Sequence, residues 1–414
     1  MIQLSTKFLT LPSGLRAPAQ SGHIDVFSDP VRLASLGISL DLFGSANGYN
    51  TEGDVIQLTT DGVNLANIWA EFQATLAIAN GERQALVDFL SYSVSEPVIT
   101  VPQFGAGDDF EVASELGVPK GVRTGAAYFQ MGFGFEWYDM AGRFTWKYLA
   151  DATAQQIESV HQAVLEADNR NVFMEVMRTL FDNVNRSADI NARPYTVYSL
   201  YNNDGTVPPT YKTNVFDGTH QHYLVSGAAA VDSGDLDEMQ LHLNHHGYIS
   251  SAGTDLVLMV NLEQGDVIRN FRSVPNGGTA KFDFIAAQGT PSFLIPKDMV
   301  LGSAARPPST YRGMKVIGAY GDFTIVQEDY MPAKYMVAFG TGGPNALTNP
   351  IGIREHANTA LRGLRLVKGR SNDYPLQESY YQRGFGTGIA QRGAAVVMKI
   401  AAAGPYAPPA SYAR

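Results

Sequence analysis

The chain has no cysteine among its 414 residues. Disulfides, thiolate zinc sites and thiol catalysis are therefore excluded. Any ruggedness of the folded protein must come from packing or from another kind of cross-link. Excess positive charge is lacking too: 30 Lys and Arg stand against 40 Asp and Glu, a formal net charge of -10. Phosphate affinity rests on Lys and Arg, so nucleic-acid binding is not expected as the main task. No segment approaches the ~20 apolar residues that span a bilayer. Lys7 is the only basic residue ahead of Pro12, and Pro12 and Gly14 cut short the apolar run, so no signal peptide is expected. There is no P-loop lysine and no G-x-S-x-G elbow. These absences predict a soluble intracellular protein.

What is present is a large apolar fraction, 45% of residues, enough for a sizeable core and roughly two or three domains. The most strongly patterned stretch runs from Glu96 to Asn183. Phe129, Met131, Phe133, Phe135 and Trp137 alternate with Gln130, Gly132, Gly134 and Glu136. That is the period of a strand with one aromatic face. Val98 to Val112 reads extended in parts, and Gly117 to Gly125 makes a tip between the two, so a long hairpin arm is predicted. A long helix follows, from about Ala154 to Asp182. Thr153 and Gln156 stand at capping-box spacing, and Ile157, Val160, Val164, Val172, Phe173, Val176 and Leu180 recur at helical intervals. The apolar stripe shifts at Asp168 to Asn171, which predicts a bend or break there.

Residues 1–60 show little helical periodicity and read as an extended arm. Asp61 is expected to cap a helix ending at Asn80-Gly81. Beyond Arg186, short strands alternate with short helices. Asp235 and Glu238 are read as boxing a helix that ends at Gly247. Asp255 to Asn261 reads as a buried strand, Gln264 to Phe271 as a helix, and Met314 to Ala319 with Phe323 to Gln327 as two strands joined at Tyr320. Tyr335 to Phe339 and Gly393 to Ile400 are further strands, and Ala401 to Arg414 is a tail. Basic residues gather between Leu361 and Ile400.

Five of the 8 histidines lie between His220 and His246. His242 and His246 are four apart on a predicted helix, a spacing that can hold zinc, but Leu243 stands where HExxH needs a glutamate. A cation also suits a helix C-terminus, so His245 and His246 have a second explanation. A metal-dependent enzyme built on His220, His222, His242 and His246 is kept as an alternative, while the leading expectation is no metal and no cofactor. Gly384 to Gly388 and Gly340 to Gly343 are read as turns, not nucleotide loops, because neither has the strand-then-helix order of a dinucleotide site. Asp108, Asp109, Glu111 and Glu115 lack EF-hand spacing and are read as a solvated strand face. Tyr374, Tyr380 and Tyr381 beside Arg383 are read as a subunit contact over a base-stacking platform.

The order of parts, with the stretches Thr59 to Gln73, Glu328 to Met336, Arg354 to Arg365, Asp373 to Leu376 and Tyr380 to Gly388, resembles the major capsid proteins of tailed bacteriophages. Within that family the chain is similar to those of actinobacterial siphophages. The resemblance implies an α+β Hong Kong 97-like fold: N-terminal arm (1–60), first helices (61–96), extended hairpin loop (97–147), spine helix (148–185), inserted α/β axial domain (186–343), peripheral return (344–404) and tail (405–414). It implies a structural, non-enzymatic protein that assembles into hexamers and pentamers of an icosahedral shell around double-stranded DNA. A separate scaffolding protein, a portal and a decoration protein are the expected partners, with no membrane. The virion is the expected location, and the host cytoplasm during assembly. Phe129, Met131, Phe133, Phe135, Trp137, Arg362, Arg365 and Arg383 are the expected subunit contacts, the arginines through ion pairs between subunits. Lys120, at the hairpin tip, is the one candidate for a covalent cross-link. No proteolytic maturation is expected. An encapsulin-type shell is the alternative within the same fold.

Overall fold

The structure, a computed structural model, describes residues 58–81, 85–103, 112–113, 115, 117–118, 127–190, 192–250, 253–289, 306–311, 314–368 and 376–414. The N-terminal arm, the hairpin tip with Lys120, the acidic residues Asp108, Asp109 and Glu111, and Tyr374 lie outside them. In chain order the elements used below are α1 (Leu65–Gly81), α2 (Ala85–Leu90), β1 (Ser91–Val94), β2 (Val98–Gln103), β3 (Ala127–Gly132), β4 (Glu136–Thr145), α3 (Trp146–Asp151) and α4 (Ala154–Phe181). They continue with β5 (Arg186–Ile190), β6 (Arg193–Val197), β7 (Tyr223–Val225), α5 (Ser233–His245), β8 (Asp255–Val260) and α6 (Leu262–Ile268). The short strands β9 (Ile285–Ala286) and β10 (Thr310–Tyr311) precede β11 (Met314–Tyr320), β12 (Phe323–Gln327), β13 (Tyr335–Thr341) and β14 (Ile351–Glu355). The last are β15 (Arg365–Lys368), β16 (Leu376–Ile389) and β17 (Ala395–Lys399).

The described chain divides into two compact units. The smaller takes, of the described residues, 58–72, 141–161, 367–368 and 376–380. Its packing centres on aromatic rings: Trp69 meets Phe72 edge-on at 5.3 Å, and Phe72 stacks on His161 at 3.9 Å. Asp61 does not cap α1. Its carboxylate oxygens instead accept from the Ala154 N–H, both at 3.2 Å, and so cap α4. Asn64 takes over at α1, accepting from Ala66 N–H at 2.8 Å. The capping box of α4 forms as expected: Gln156 accepts from Thr153 N–H at 3.0 Å, and Thr153 Oγ1 from Gln156 N–H at 3.4 Å.

The larger unit is built on a sheet of order β10-β11-β12-β8-β13-β17-β7, with β9 on β11. Its central strands are apolar on both faces, and alternate residues feed opposite cores. Val257, Met259, Val337, Phe339 and Val397 face one cluster with Phe173, Val176, Met177 and Leu180 of α4. Leu256, Leu258, Val260, Met336, Ala338, Val396 and Met398 face another with Leu236, Met239 and Leu243 of α5. Coverage on both faces explains why Asp255–Val260 reads as an unbroken apolar run. β17 comes from the range assigned to the peripheral return, yet it pairs antiparallel with β13, Val397 opposite Val337.

Four local expectations change. The α4 backbone shows no break at Asp168 to Asn171; the helix continues for 28 residues. The α5 capping box uses Asp232 and Asp235 rather than Asp235 and Glu238. The Gly384 to Gly388 segment is not a turn but the interior of β16. Residues 401–414 are docked, not loose: Tyr412 stacks on Phe181 at 5.4 Å, and Tyr406 Oη donates to Phe181 O at 2.9 Å.

Candidate assembly surface and histidine cluster

The base of the predicted hairpin is present. β2 and β3 pair antiparallel, with Val98 opposite Gly132 and Val101 opposite Phe129. The aromatic row is not one strand, however. The β2–β3 ladder ends at Gly132, and β4, which begins at Glu136, pairs with β16 instead, leaving Phe133, Gly134 and Phe135 between β3 and β4. That interruption lets the chain lie on the second sheet, where β14 and β16 pair antiparallel with Gly352 opposite Gly388.

Glycine makes this packing possible. Gly384, Gly386 and Gly388 alternate along β16, so they share one face. A methyl on Gly388 would meet the Phe133 ring at 2.7 Å, and one on Gly384 would meet Phe135 and Trp137 at 2.7 Å. A methyl on Gly386 would overlap the Gly134 carbonyl, and one on Gly352 would overlap Phe133. The stripe is thus a groove for the aromatic row. Sequence reading missed it, although the two-residue spacing of the glycines was its signal.

The eight contact candidates separate by environment. Met131 and Phe133 are buried within the chain itself, so neither presents a free face. Phe129 is half-buried against Tyr198 at 4.5 Å. Phe135 is half-buried, with the Arg354 guanidinium 5.1 Å above its ring. Trp137 is 45% exposed, Met140 on the same strand is 47% exposed, and Tyr128 on β3 is 67% exposed. Arg365 lies over Trp137 at 5.7 Å and donates to Gln382 at 2.6 Å. Arg362 donates to His356 O at 2.7 Å. Arg383 pairs with Asp168 at 2.8 Å, and burial raises the Asp168 carboxyl above its ordinary value while Arg383 pulls it down. In the same basic segment Arg392 is 1% exposed and pairs with Asp204 at 2.7 Å. The ion pairs seen at Arg383 and Arg392 are within the chain. Sequence spacing carries no information on such partners, 215 and 188 positions away.

A polar groove of about 980 Å³ is lined by Arg178, Arg186, Arg354, Arg414, Glu136 and Glu175, among others. Its charges are partly matched internally: Arg414 pairs with Glu175 at 2.5 Å and with Asp182 at 3.6 Å. Thr387 Oγ1 also donates to Glu175 there, at 3.2 Å.

The histidines come together more closely than their sequence spacing indicates. His220 Nε2 is 3.0 Å from His222 Nε2 and 2.9 Å from His246 Nε2. His242, the partner expected from helical spacing, has its ring 5.5 Å from those of both His220 and His222. Burial pushes His220 down to about 4 and His246 to about 3, and holds the fully buried His222 well below its ordinary value. All three are neutral at pH 7. Among the described residues this is the only group of metal-ligating side chains with converging donor atoms.

No protein-family model matches the chain, and no curated protein does. Among solved structures it is similar to a protein of Mycobacterium phage Patience, at 44% identity and a TM-score of 0.70, covering 88% of this chain and 96% of that one. It also matches the capsid of an empty GTA particle, at 12% identity and TM-score 0.44, covering 76% of this chain and 88% of that one. The holo-encapsulin complex of Synechococcus elongatus is at 10% identity and TM-score 0.42, covering 87% and 96%. The last two are too distant to add to the assignment. The Patience match spans nearly the whole of its partner at high identity, and the chain belongs to the major capsid proteins of tailed bacteriophages, with the Hong Kong 97-type fold.

Proposed function

We propose that the chain builds the shell of an icosahedral phage head as hexamers and pentamers enclosing double-stranded DNA, and that it performs no catalysis. The observation that carries this is the 44% identity to the Patience protein across 96% of that chain. The surface supports it. Tyr128, Trp137 and Met140 are exposed on β3 and β4, and Met131 and Phe133 nearby in the chain are buried. Exposed aromatics on a fixed base suit a large intertwined interface. A separate scaffolding protein, a portal and a decoration protein complete the assembly, which proceeds in the host cytoplasm. Subunit contacts run through Phe129, Phe135 and Trp137, with Arg362, Arg365 and Arg383 at their margin. Lys120 remains the candidate for a cross-link. A ladder on denaturing gels of mature particles supports it, and a single monomer band removes it.

Electron microscopy of the protein expressed alone and with neighbouring phage genes tests the main reading. Closed shells or regular five- and six-fold rings support it. Discrete small oligomers under both conditions overturn it.

A further inference from the structure

We propose that His220, His222 and His246 bind a divalent first-row transition cation, zinc foremost, through their three Nε2 atoms. The three donor atoms all lie within 4.8 Å of one another, and two of the separations are 3.0 and 2.9 Å. Zinc bound tetrahedrally at ~2.0–2.1 Å needs donors about 3.3 Å apart. The two short edges must open by only a few tenths of an ångström.

The surroundings match what such a ligand set requires. His222 Nδ1 is 2.6 Å from Ala395 O, so Nδ1 carries the hydrogen and Nε2 presents its lone pair to the cluster. A backbone carbonyl fixing the far nitrogen of a ligating imidazole is the usual outer support of a metal site. The His246 ring is clamped between Phe216, stacked at 4.5 Å, and Tyr201, stacked at 5.5 Å. His220 and His222 flank Gln221, whose bridge to Asn202 holds the segment extended, so both side chains point to one side. His242 stands one helical turn before His246, and its buried Nδ1 has no hydrogen-bond partner. It is the candidate fourth ligand. Without a cation, one N–H on His220 Nε2 would have to serve two neighbours. A cation uses all three lone pairs.

The donor set also selects the ion. Imidazole nitrogen suits zinc, cobalt, nickel and copper, whereas calcium and magnesium need oxygen ligands. The role is structural. The cation ties the strand entering β7 to the C-terminus of α5, closing a loop in a chain that has no cysteine to do so.

The test uses the untagged full-length chain, purified without metal resin and treated with EDTA. Titration with cobalt(II) chloride is followed by visible absorption, then by displacement with zinc chloride. One cobalt per chain with the strong bands of tetrahedral coordination is expected. X-ray absorption of the zinc-loaded protein should show three or four imidazole nitrogens. His220→Gln and His246→Gln should each weaken binding at least tenfold. No stoichiometric cobalt, an oxygen-dominated shell, or unchanged binding by the double variant overturns the proposal. The wild-type titration and the absorption spectrum decide it even where a variant fails to fold. None of these readouts depends on whether shells assemble, so failure here leaves the capsid reading standing.

Discussion

Two glycines that face each other should respond in opposite ways to the same substitution. A methyl on Gly386 would run into the carbonyl of Gly134, a backbone atom that no rotamer change can move. A methyl on Gly134 would find its nearest neighbour, Thr387 O, at 4.0 Å, an ordinary contact. Overpacking a rigid site costs ~3 kcal/mol at the upper end of the usual range. Glycine-to-alanine substitution returns at most about 1 kcal/mol by restricting the unfolded chain. Gly386→Ala should therefore destabilise by about 2 kcal/mol or more. Gly134→Ala should lie between neutral and about 1 kcal/mol stabilising. Guanidinium unfolding of the unassembled full-length chain, with midpoints compared at constant slope, measures both. Equal effects at the two positions, or a Gly386→Ala midpoint at the wild-type value, would refute the packing of the aromatic row into a glycine groove.

Arg392→Met strands Asp204 and the carbonyls of Ser199 and Leu200, which the guanidinium now satisfies, and should cost ~3–5 kcal/mol; adding Asp204→Asn should recover part of the loss in the same unfolding assay. Tyr412→Ala removes the stack on Phe181 and the bond to Tyr330 O, and should cost about 3 kcal/mol, visible as an earlier thermal midpoint. Burial raises Asp235 from 3.8 to about 6. Between those values the folded chain holds a proton that the unfolded chain has released, so stability should fall as pH rises through that window. Asp235→Asn keeps an acceptor for the Asp232 N–H and should flatten this slope in melts taken between pH 4 and 7. Trp137→Ala removes a ring that is 45% exposed and otherwise packed over Gly384, so it should lower the unfolding midpoint less than Phe133→Ala does while lowering the yield of closed shells seen by electron microscopy; Phe133→Ala should cost ~3–5 kcal/mol because Phe133 is fully buried.

The elements that sequence reading located well are those whose signal is local. Helix α4 was marked by its capping box and its apolar interval, and it runs Ala154–Phe181 against an expected Ala154 to Asp182. Strand β8 was marked by a run of apolar residues, and β11 and β12 by the turn at Gly321. In each case the residues that specify the element lie within it, so no knowledge of partners is needed. The apparent shift of stripe at Asp168 to Asn171 has a different cause. Asp168 is polar on a buried face because it receives Arg383, and the pair replaces an apolar contact without breaking the helix.

The errors share a physical origin in partners distant along the chain. Asp61 has the form of a cap for the helix just after it, but the N-terminus it serves begins at Ala154. The glycines of Gly384 to Gly388 look like a flexible turn, and instead they flatten a strand so that Phe133 and Phe135 can approach. The histidine cluster depends on distant partners in the same way. The i,i+4 pair on α5 drew attention to His242, but the two closest donors to His220 are His222, fixed by β17 through Ala395 O, and His246 at the helix end. A strand 173 residues further along the chain orients that imidazole. Local pattern can therefore name the residues of such a site and still miss which of them converge, because convergence is decided by the sheet.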